Sequence, residues 1–424
     1  MLLRRIRAAW KTPWHRTLYI MFVANVMTGV GFSSIFPFLP LYVQDLGSAY
    51  GLNLEILSGL VFSAQAFTMM LTAPIWGSIA DRYGRKLMVE RSMFGGTLIL
   101  AAMAFARSAE DLVVLRAIQG MITGTVAATN ALVAASAPRE QSGYAMGVVQ
   151  VGLGAGVALG PLIGGAIADA SGYGTAFFVT AVLLLIAGVI VLLFIEEPRS
   201  PEALSNPALA KRPGVLASWR EIIATPGVPA AYGLSFFNQL CRNMLLPAVP
   251  LFIPLLMQGE GLINTFTGLV SGISSATTTL SSVFLGRLGD RKGQRRVLII
   301  SLLFASLLYA AQALVTSGLQ LLLLQAAVGV ALGGITPAIS ALLARFTRPG
   351  VEGAVYGLDN SIGSGARSLA PMLGSLVIIW WGLRSTFLVT GALLVLTAVF
   401  AAFALPSALP REQRETVPSP QKPR

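Results

Sequence analysis

The apolar segments of this 424-residue chain hold few side chains that could do chemistry, and four charged residues stand out: Arg116, Arg242, Arg367 and Asp359. A charge at the centre of a membrane helix costs about 2.5–3.5 kcal/mol, so such residues usually mark an ion or substrate pathway. Asp359 could exchange a proton or pair with an arginine. Three arginines against one carboxylate would instead favour an anionic ligand, and both interpretations stay open.

Two of these residues also have a purely structural interpretation. Asp359 lies only about two helical turns after the start of its apolar segment, so it could simply mark the cytoplasmic end of a helix. Arg116 lies a few residues into its own segment and could extend its side chain to the membrane surface. The depth and partners of the two side chains decide between these interpretations.

Composition excludes most other chemistry. The chain has one cysteine, Cys241, and one histidine, His15, which rules out an internal disulfide and a buried histidine relay. It contains no phosphate-binding loop, zinc-protease motif or nucleophile elbow. We therefore expect no enzyme activity, no metal site and no cofactor.

Hydropathy predicts a membrane protein. Hydrophobic residues make up 55% of the chain and charged residues only 11%, far fewer charges than soluble domains carry. Apolar segments long enough to cross a bilayer predict twelve membrane-spanning helices. Their approximate bounds are 17–43, 54–79, 87–107, 111–135, 141–169, 174–195, 225–257, 263–287, 296–315, 319–344, 351–381 and 384–404.

The polar segments divide the chain into two halves. We expect an N-terminal half over 1–195, a cytoplasmic linker over 196–223, a C-terminal half over 224–404 and a disordered cytoplasmic tail over 405–424. The tails, the linker and alternate loops, together with the span ends that adjoin them, hold 25 of the 30 basic residues. Because basic loops stay cytoplasmic, both termini are predicted to face the cytoplasm. This placement of the net charge of +12 argues against a nucleic-acid partner.

The second half repeats the first at an offset of about 209 residues. Matching residues recur in the same order: Pro37 and Pro247, Gly77 and Gly286, Asp81 and Asp290, Gly84 and Gly293, Gly120 and Gly329, Pro161 and Pro371, Gly164 and Gly374. Six spans per half keep the repeats parallel, so their pseudo-twofold axis runs along the membrane normal. We therefore expect an all-α membrane protein built from two parallel six-helix repeats around a central cavity.

A charged turn joins spans 2 and 3. It contains Gly77, Asp81, Arg82, Gly84, Arg85 and Lys86, and its second copy keeps Asp290 and Arg291 but has Gln294 after the glycine. Gly84 can adopt positive φ in a tight turn, and Asp81 can approach a neighbouring helix N-terminus. We interpret the turn as a conformational latch that is stronger in the first copy. The alternative is that both turns only fix orientation.

Three motifs resemble those of one transporter family. The turn Gly77–Lys86 resembles the signature of the major facilitator superfamily, and 115–120 resembles the span 4 motif of its proton-coupled members. Residues 152–165 resemble the span 5 motif of its drug:proton antiporter branch, which includes Gly152, Gly156, Gly160, Pro161, Gly164 and Gly165. The resemblance covers nearly the whole chain. It implies a bacterial inner-membrane protein that exports drugs in exchange for protons, with Arg116 and Gln119 in proton coupling.

Polar and aromatic residues in the spans supply candidate cavity residues: Asn25, Phe32, Phe36, Gln65, Asn130, Gln150, Phe236, Gln239, Arg242, Asn360 and Arg367. They suit a large, mostly apolar pocket for a small lipophilic molecule. Span 1 lacks the acid that many drug antiporters have, which moves proton coupling towards Asp359. We expect a monomer in a lipid bilayer.

Two other functions remain open. One is uptake or facilitated transport of an organic anion such as a sugar phosphate or carboxylate. The other is a receptor that transports nothing, which the intact latch and the polar groups within the spans disfavour. A glycine stripe at every fourth residue, from Gly152 to Gly164, further predicts close packing of span 5 against Gly268 and Gly272 of span 8.

Overall fold

The computed structural model describes residues 13–136, 138, 141–195, 223, 225, 227–258, 261–346 and 352–405. Almost all of these residues are helical. In chain order, the helices are α1 Pro13–Ser33, α2 Leu39–Leu46, α3 Leu54–Tyr83, α4 Arg85–Met103, α5 Ala109–Ile122, α6 Thr125–Ser136, α7 Ser142–Phe194, α8 Val228–Met244, α9 Ala248–Leu256, α10 Ile263–Lys292, α11 Gln294–Gln312, α12 Gly318–Leu332, α13 Ile335–Phe346, α14 Glu352–Trp381 and α15 Leu383–Ala404. Nearly all of the predicted linker and tail lies outside the described residues.

These helices form the twelve predicted spans. Spans 1, 4, 7 and 10 each combine two shorter helices: α1 with α2, α5 with α6, α8 with α9, and α12 with α13. Helix α7 supplies spans 5 and 6, and each remaining helix is one span. Within the described residues, eight helical segments are long and apolar enough to cross a membrane by length and composition alone. The all-α, two-repeat membrane architecture is confirmed.

Each half repeats its turns as well as its residues. Gly84 and Gly293 end the two 30-residue helices α3 and α10 with φ values of 107° and 99°. Gly172, inside α7, and Gly382, between α14 and α15, have φ values of 83° and 84°. Side chains other than glycine rarely adopt this backbone region, so these positions require glycine. Gly172 therefore marks the outer turn between spans 5 and 6.

The membrane-facing surface is apolar, as a bilayer requires. Large hydrophobic side chains such as Leu98, Leu314 and Phe403 expose 71%, 79% and 87% of their surface. Each half buries its own core: Phe38, Phe177 and Leu184 belong to the N-terminal half. In a soluble protein such exposure would promote aggregation, whereas here it matches lipid.

The glycine stripe of span 5 packs against span 1, so the prediction that it packs against span 8 was wrong. A Cβ added to Gly156 would lie 2.4 Å from the Val26 carbonyl oxygen and 2.8 Å from the Gly29 Cα atom, both in α1. Added Cβ atoms on Gly152, Gly160 and Gly164 would likewise meet the chain between Phe22 and Ser34. The stripe therefore faces α1 of its own half, where the backbones of the two helices approach each other closely.

Span 5 does contact span 8, but through its opposite side. A Cβ added to Gly268 of α10 would lie 2.1 Å from the Pro161 carbonyl oxygen. The equivalent contact joins α3 to α14, where a Cβ on Gly59 would lie 2.7 Å from the Pro371 carbonyl oxygen. These two pseudo-symmetric contacts hold the halves together near one end of the bundle.

We call this end the outer end. It carries the turns at 47–53, 104–108, 172, 257–262, 313–317 and 382, and the opposite, inner end carries the basic turns at Gly84 and Gly293. The contact between α7 and α10 loosens from the outer end inward. The distance from an added Cβ to the nearest atom of the other half is 2.1 Å at Gly165, 2.8 Å at Gly272 and 3.9 Å at Gly154.

Candidate functional site

Arg116 forms a fully buried polar centre in the N-terminal half. Its Nε donates to the Val61 carbonyl oxygen of α3 at 3.1 Å, and its Nη1 donates to Gln119 Oε1 at 2.7 Å. The guanidinium lies 5.8 Å from the ring centres of both Phe36 and Phe62. None of its surface is exposed, so the interpretation of an arginine that reaches the membrane surface was wrong.

The charge of Arg116 is met by neutral groups. Its Nη2 and the Gln119 Nε2 are buried and have no hydrogen-bond partner within the described ranges. Two aromatic faces supply part of the compensation, since a ring attracts a cation within about 6 Å of its centre. A buried guanidinium with an unused donor is poised to bind an acceptor, such as a carboxylate, a carbonyl or an ordered water.

Asp359 and Arg367 belong to a second polar cluster, in the C-terminal half. Arg367 Nη2 donates to Ser364 Oγ at 2.7 Å and to Asn360 Oδ1 at 3.3 Å, both on α14. Arg367 is also close enough to Asp359 for their charges to interact. In the part of the chain that the structure describes, Asp359 Oδ1 is buried and has no hydrogen-bond partner. Gln239 of α8 borders the same cluster beside Gly363. The structure thus brings together four predicted residues: Gln239, Asp359, Asn360 and Arg367.

The remaining cavity candidates are scattered. Asn25 is buried and its Nδ2 donates to the Met21 carbonyl oxygen of its own helix at 2.9 Å, while Gln150 is exposed. Phe236 stacks edge-on against Phe237, and Arg242 lies in the last turn of α8. Other candidates occupy partly buried positions: Phe32, Gln65 and Asn130. Pattern alone could not identify which helix faces meet, so these assignments stay untested.

The latch turns are only partly described. Gly77 and the side chains of Asp81 and Arg82 lie outside the part of the chain whose side-chain surroundings are described. In the second copy, the Gln294 Nε2 donates to Asp290 Oδ1 at 2.8 Å. Asp290 is therefore held within its own turn by the residue that replaces the arginine.

A contact that the sequence interpretation missed closes each half at the inner end. Lys86 Nζ donates to the Leu192 carbonyl oxygen, in the last turn of span 6, at 3.0 Å and lies 3.4 Å from Glu90. Its repeat equivalent, Arg295, donates to the Ala402 carbonyl oxygen at the end of span 12. Cations interact favourably with the free carbonyl groups of a helix C-terminus. The repeat offset could have revealed this pair.

Two outer-end carboxylates were also missed. Glu110 Oε1 accepts from Ser48 Oγ at 2.5 Å, and its Oε2 accepts from the Ala49 N–H at 3.1 Å. The hydrogen bond from Ser48, with those from the Ala49 and Tyr50 N–H groups, lowers the pKa of Glu110 to about 2 and outweighs the opposing effect of desolvation. Glu110 thus fixes the turn between spans 1 and 2 within the N-terminal half.

Asp169, the second missed carboxylate, contacts the other half. Its Oδ1 accepts from Asn264 Nδ2 at 2.8 Å and from the Asn264 N–H at 3.2 Å. Its Oδ2 accepts from both the N–H and the Oγ1 of Thr265, each at 2.7 Å. Asp169 has no counterpart in the repeat, where Ile379 stands, so the repeat pattern gave no signal for it.

Comparison with known proteins agrees with this architecture. The family model described as Major Facilitator Superfamily matches residues 21–262 and 231–424. The chain is 33% identical over 392 residues to "Multidrug resistance protein MdtG" of Rahnella sp. (strain Y9602), which covers 92% of this chain and 94% of that protein. It is 33% identical over 410 residues to the protein of the same name from Enterobacter lignolyticus (strain SCF1), covering 95% and 96%.

Solved structures share the fold at lower identity. A bacterial homologue of the human lysosomal transporter Spinster, in an inward-facing and occupied conformation, gives a TM-score of 0.76 at 15% identity and covers 91% of this chain and 96% of its own. The D-xylose–proton symporter gives a TM-score of 0.76 at 17% identity, covering 93% and 98%. With two six-span halves, the shared motifs and relatives along most of its length, the chain belongs to the major facilitator superfamily of membrane transporters.

Proposed function

We propose that the protein exports drugs or other lipophilic small molecules in exchange for protons, by alternating access between its two halves. The relatives that carry the name multidrug resistance protein support the substrate class. The graded contact between α7 and α10 is the observation that carries the mechanism, because it is tight at the outer end and looser inward. A pair of halves joined at one end can rock about an enclosed site, as in other two-repeat transporters.

The distribution of charge supports the placement in the cell. Basic residues cluster at the inner end, so this end and both termini are proposed to face the cytoplasm of a bacterium, with the protein in the inner membrane. The apolar outer surface fits lipid on every side, in agreement with a monomer.

Asp359 is proposed as the proton-coupling group, with Arg116 and Gln119 as parts of the switch. One Asp359 oxygen is buried with no hydrogen-bond partner among the described residues, and Arg367 lies nearby. A cationic substrate that approached this carboxylate would displace its proton, and a proton from outside would displace the substrate. The unused Arg116 donor can bind an acceptor in one conformation only, which would make its contacts state-dependent.

Transport of an organic anion remains a second candidate. Among the described residues, Arg116 and Arg367 donate their hydrogen bonds to neutral acceptors, and Asp359 lies near Arg367 alone. An anion could compensate the charge of the two arginines. The two candidates differ in the charge of the molecule carried and in the direction of net movement.

Dye transport in proteoliposomes tests the two candidates together. Purified protein is reconstituted, a pH difference is imposed, and uphill movement of a lipophilic cationic dye is followed by fluorescence with and without a protonophore. Protonophore-sensitive accumulation in the direction opposite to the protons is expected. Movement of a sugar phosphate, with no effect on the dye, would overturn export in favour of the anion candidate.

A further inference from the structure

The first turn of α10 is completed by a residue of the other half. The residue at its N-cap position is Leu262, whose side chain cannot accept a hydrogen bond. In the repeat, Asn53 caps α3 by itself, and its Oδ1 accepts from the Ile56 N–H at 3.1 Å. Helix N-termini leave backbone donors free, and a cap side chain normally satisfies those two or three residues into the helix.

Asp169 supplies the missing cap from across the interface. Its carboxylate accepts from the backbone N–H groups of Asn264 and Thr265, which are the second and third residues of α10. Both side chains donate to it as well, so each carboxylate oxygen accepts two hydrogen bonds. A negative charge at this position is also favoured by the helix dipole.

These contacts exist only while the outer end is closed. Asp169 lies three residues before the turn at Gly172 in the N-terminal half, whereas α10 begins the second span of the C-terminal half. Next to them, a Cβ on Gly165 would lie 2.1 Å from the Asn264 carbonyl oxygen, so the backbones are in direct contact. Separation of the halves at this end must break all four hydrogen bonds together.

Among the described residues of the opposite interface, no side chain caps a helix of the other half. There, α14 meets α3 through Gly59, Pro371 and Ser375, while Ile379 and Glu55 occupy the positions equivalent to Asp169 and Asn264. The polar contact is thus confined to one of the two pseudo-symmetric sides. Other ionisable groups around it are Tyr173, which interacts with both Asp169 and Asp45, and Tyr42, which packs on Tyr173.

We propose that Asp169 is an outer latch, which stabilises the outer-closed conformation by capping α10 of the opposite half. Its strength sets the ratio of outer-closed to outer-open molecules, and with it the rate at which the site opens outward. The latch rests on the alternating access of the proposed function but not on what the protein carries, since any such cycle requires this opening. It places a conformational control outside the known signature turn at the inner end.

Distances across the outer end test the latch directly. Spin labels are placed at Arg107 and Leu314, exposed outer positions in different halves, in a Cys241→Ala background. Pulsed electron resonance then gives the distance distribution of the full-length protein in nanodiscs. Asp169→Asn is expected to raise the ratio of wide to narrow distances at least about fivefold, the usual lower range for coupling between sites. Thr265→Val, which removes one donor, should give a smaller rise.

Two variants separate a latch from general damage. Glu110→Gln removes a carboxylate at the same end that bonds only within its own half, so the distances should stay as in the parent. Leu262→Asn gives α10 its own cap, as Asn53 does for α3. Added to Asp169→Asn, it should restore thermal stability while the wide distances persist. Parent-like distances in Asp169→Asn, or a return to narrow distances in the double variant, would overturn the proposal.

Discussion

Arg116 combines complete burial with a defined geometry, which makes it the most sensitive residue in the N-terminal half. Lysine keeps the charge, but its single ammonium nitrogen cannot occupy both the Nε position, which donates to the Val61 carbonyl, and the Nη1 position, which donates to Gln119. We expect Arg116→Lys to reduce transport roughly tenfold or more, because each hydrogen bond to a charged group contributes about 1.5–3 kcal/mol. Initial dye-efflux rates at matched protein levels measure this. Near-normal transport by the lysine variant would show that charge alone suffices.

Asp359 provides the corresponding test in the C-terminal half. Asparagine keeps the shape of the side chain but cannot exchange a proton. Asp359→Asn should therefore abolish accumulation against a gradient under an imposed pH difference, and downhill exchange of the same substrate should persist. Proteoliposome assays in both modes distinguish the two. Asp359→Glu, which retains an acid, is the control, and uphill transport by the asparagine variant would exclude this carboxylate as the coupling site.

At the scale of helices, the corrected position of the glycine stripe changes what a substitution should do. Gly156 meets the backbone of α1 in its own half, whereas Gly268 meets the Pro161 carbonyl of the opposite half. Gly156→Ala should lower the melting temperature by about 3 °C or more, because overpacking costs about 1–3 kcal/mol. Gly268→Ala should mainly open the outer end. Thermal unfolding and the distance between labelled positions 107 and 314 separate these effects, and identical behaviour of the two variants would contradict the assignment.

The turn between spans 1 and 2 should loosen in acid because of Glu110. Its pKa is about 2 in the folded protein and near 4.5 without its partners, so the ionised form stabilises the turn. That stabilisation is complete above the higher value and is lost as the pH falls towards 2. A spin label at Leu52, which is half exposed, should gain mobility over this interval. In Glu110→Gln the label should be mobile at neutral pH and show no such transition.

For the molecule as a whole, the two latch turns are expected to be unequal. Gln294 already donates a hydrogen bond to Asp290 within the second turn, so the Asp290 carboxylate is less available to a neighbouring helix. At equal expression, Asp81→Asn should therefore reduce transport several-fold more than Asp290→Asn. Equal losses in the two variants would mean that both turns act alike.

The sequence allowed a good prediction of the architecture, because hydropathy and the repeat offset act over the whole chain. The twelve spans, the breaks near Pro37 and Pro247 and the positive φ of Gly84 were all predictable. The helix that each face contacts was not predictable, and for this reason the packing partner predicted for Gly156 was wrong. Asp169 could not be recognised as a cap, because its role arises from the other half of the chain. There, Leu262 stands at the N-cap position of α10 and its side chain cannot accept a hydrogen bond.

The paired contacts of Lys86 and Arg295 bear on how the protein is made. Lys86 donates to the Leu192 carbonyl oxygen, and Arg295 donates to the Ala402 carbonyl oxygen. Each contact joins the basic turn of a half to the end of the last span of that half. The Lys86 contact can therefore form while the ribosome is still synthesising the C-terminal half. The C-terminal half would then assemble beside an N-terminal half in which Lys86 already holds the end of span 6.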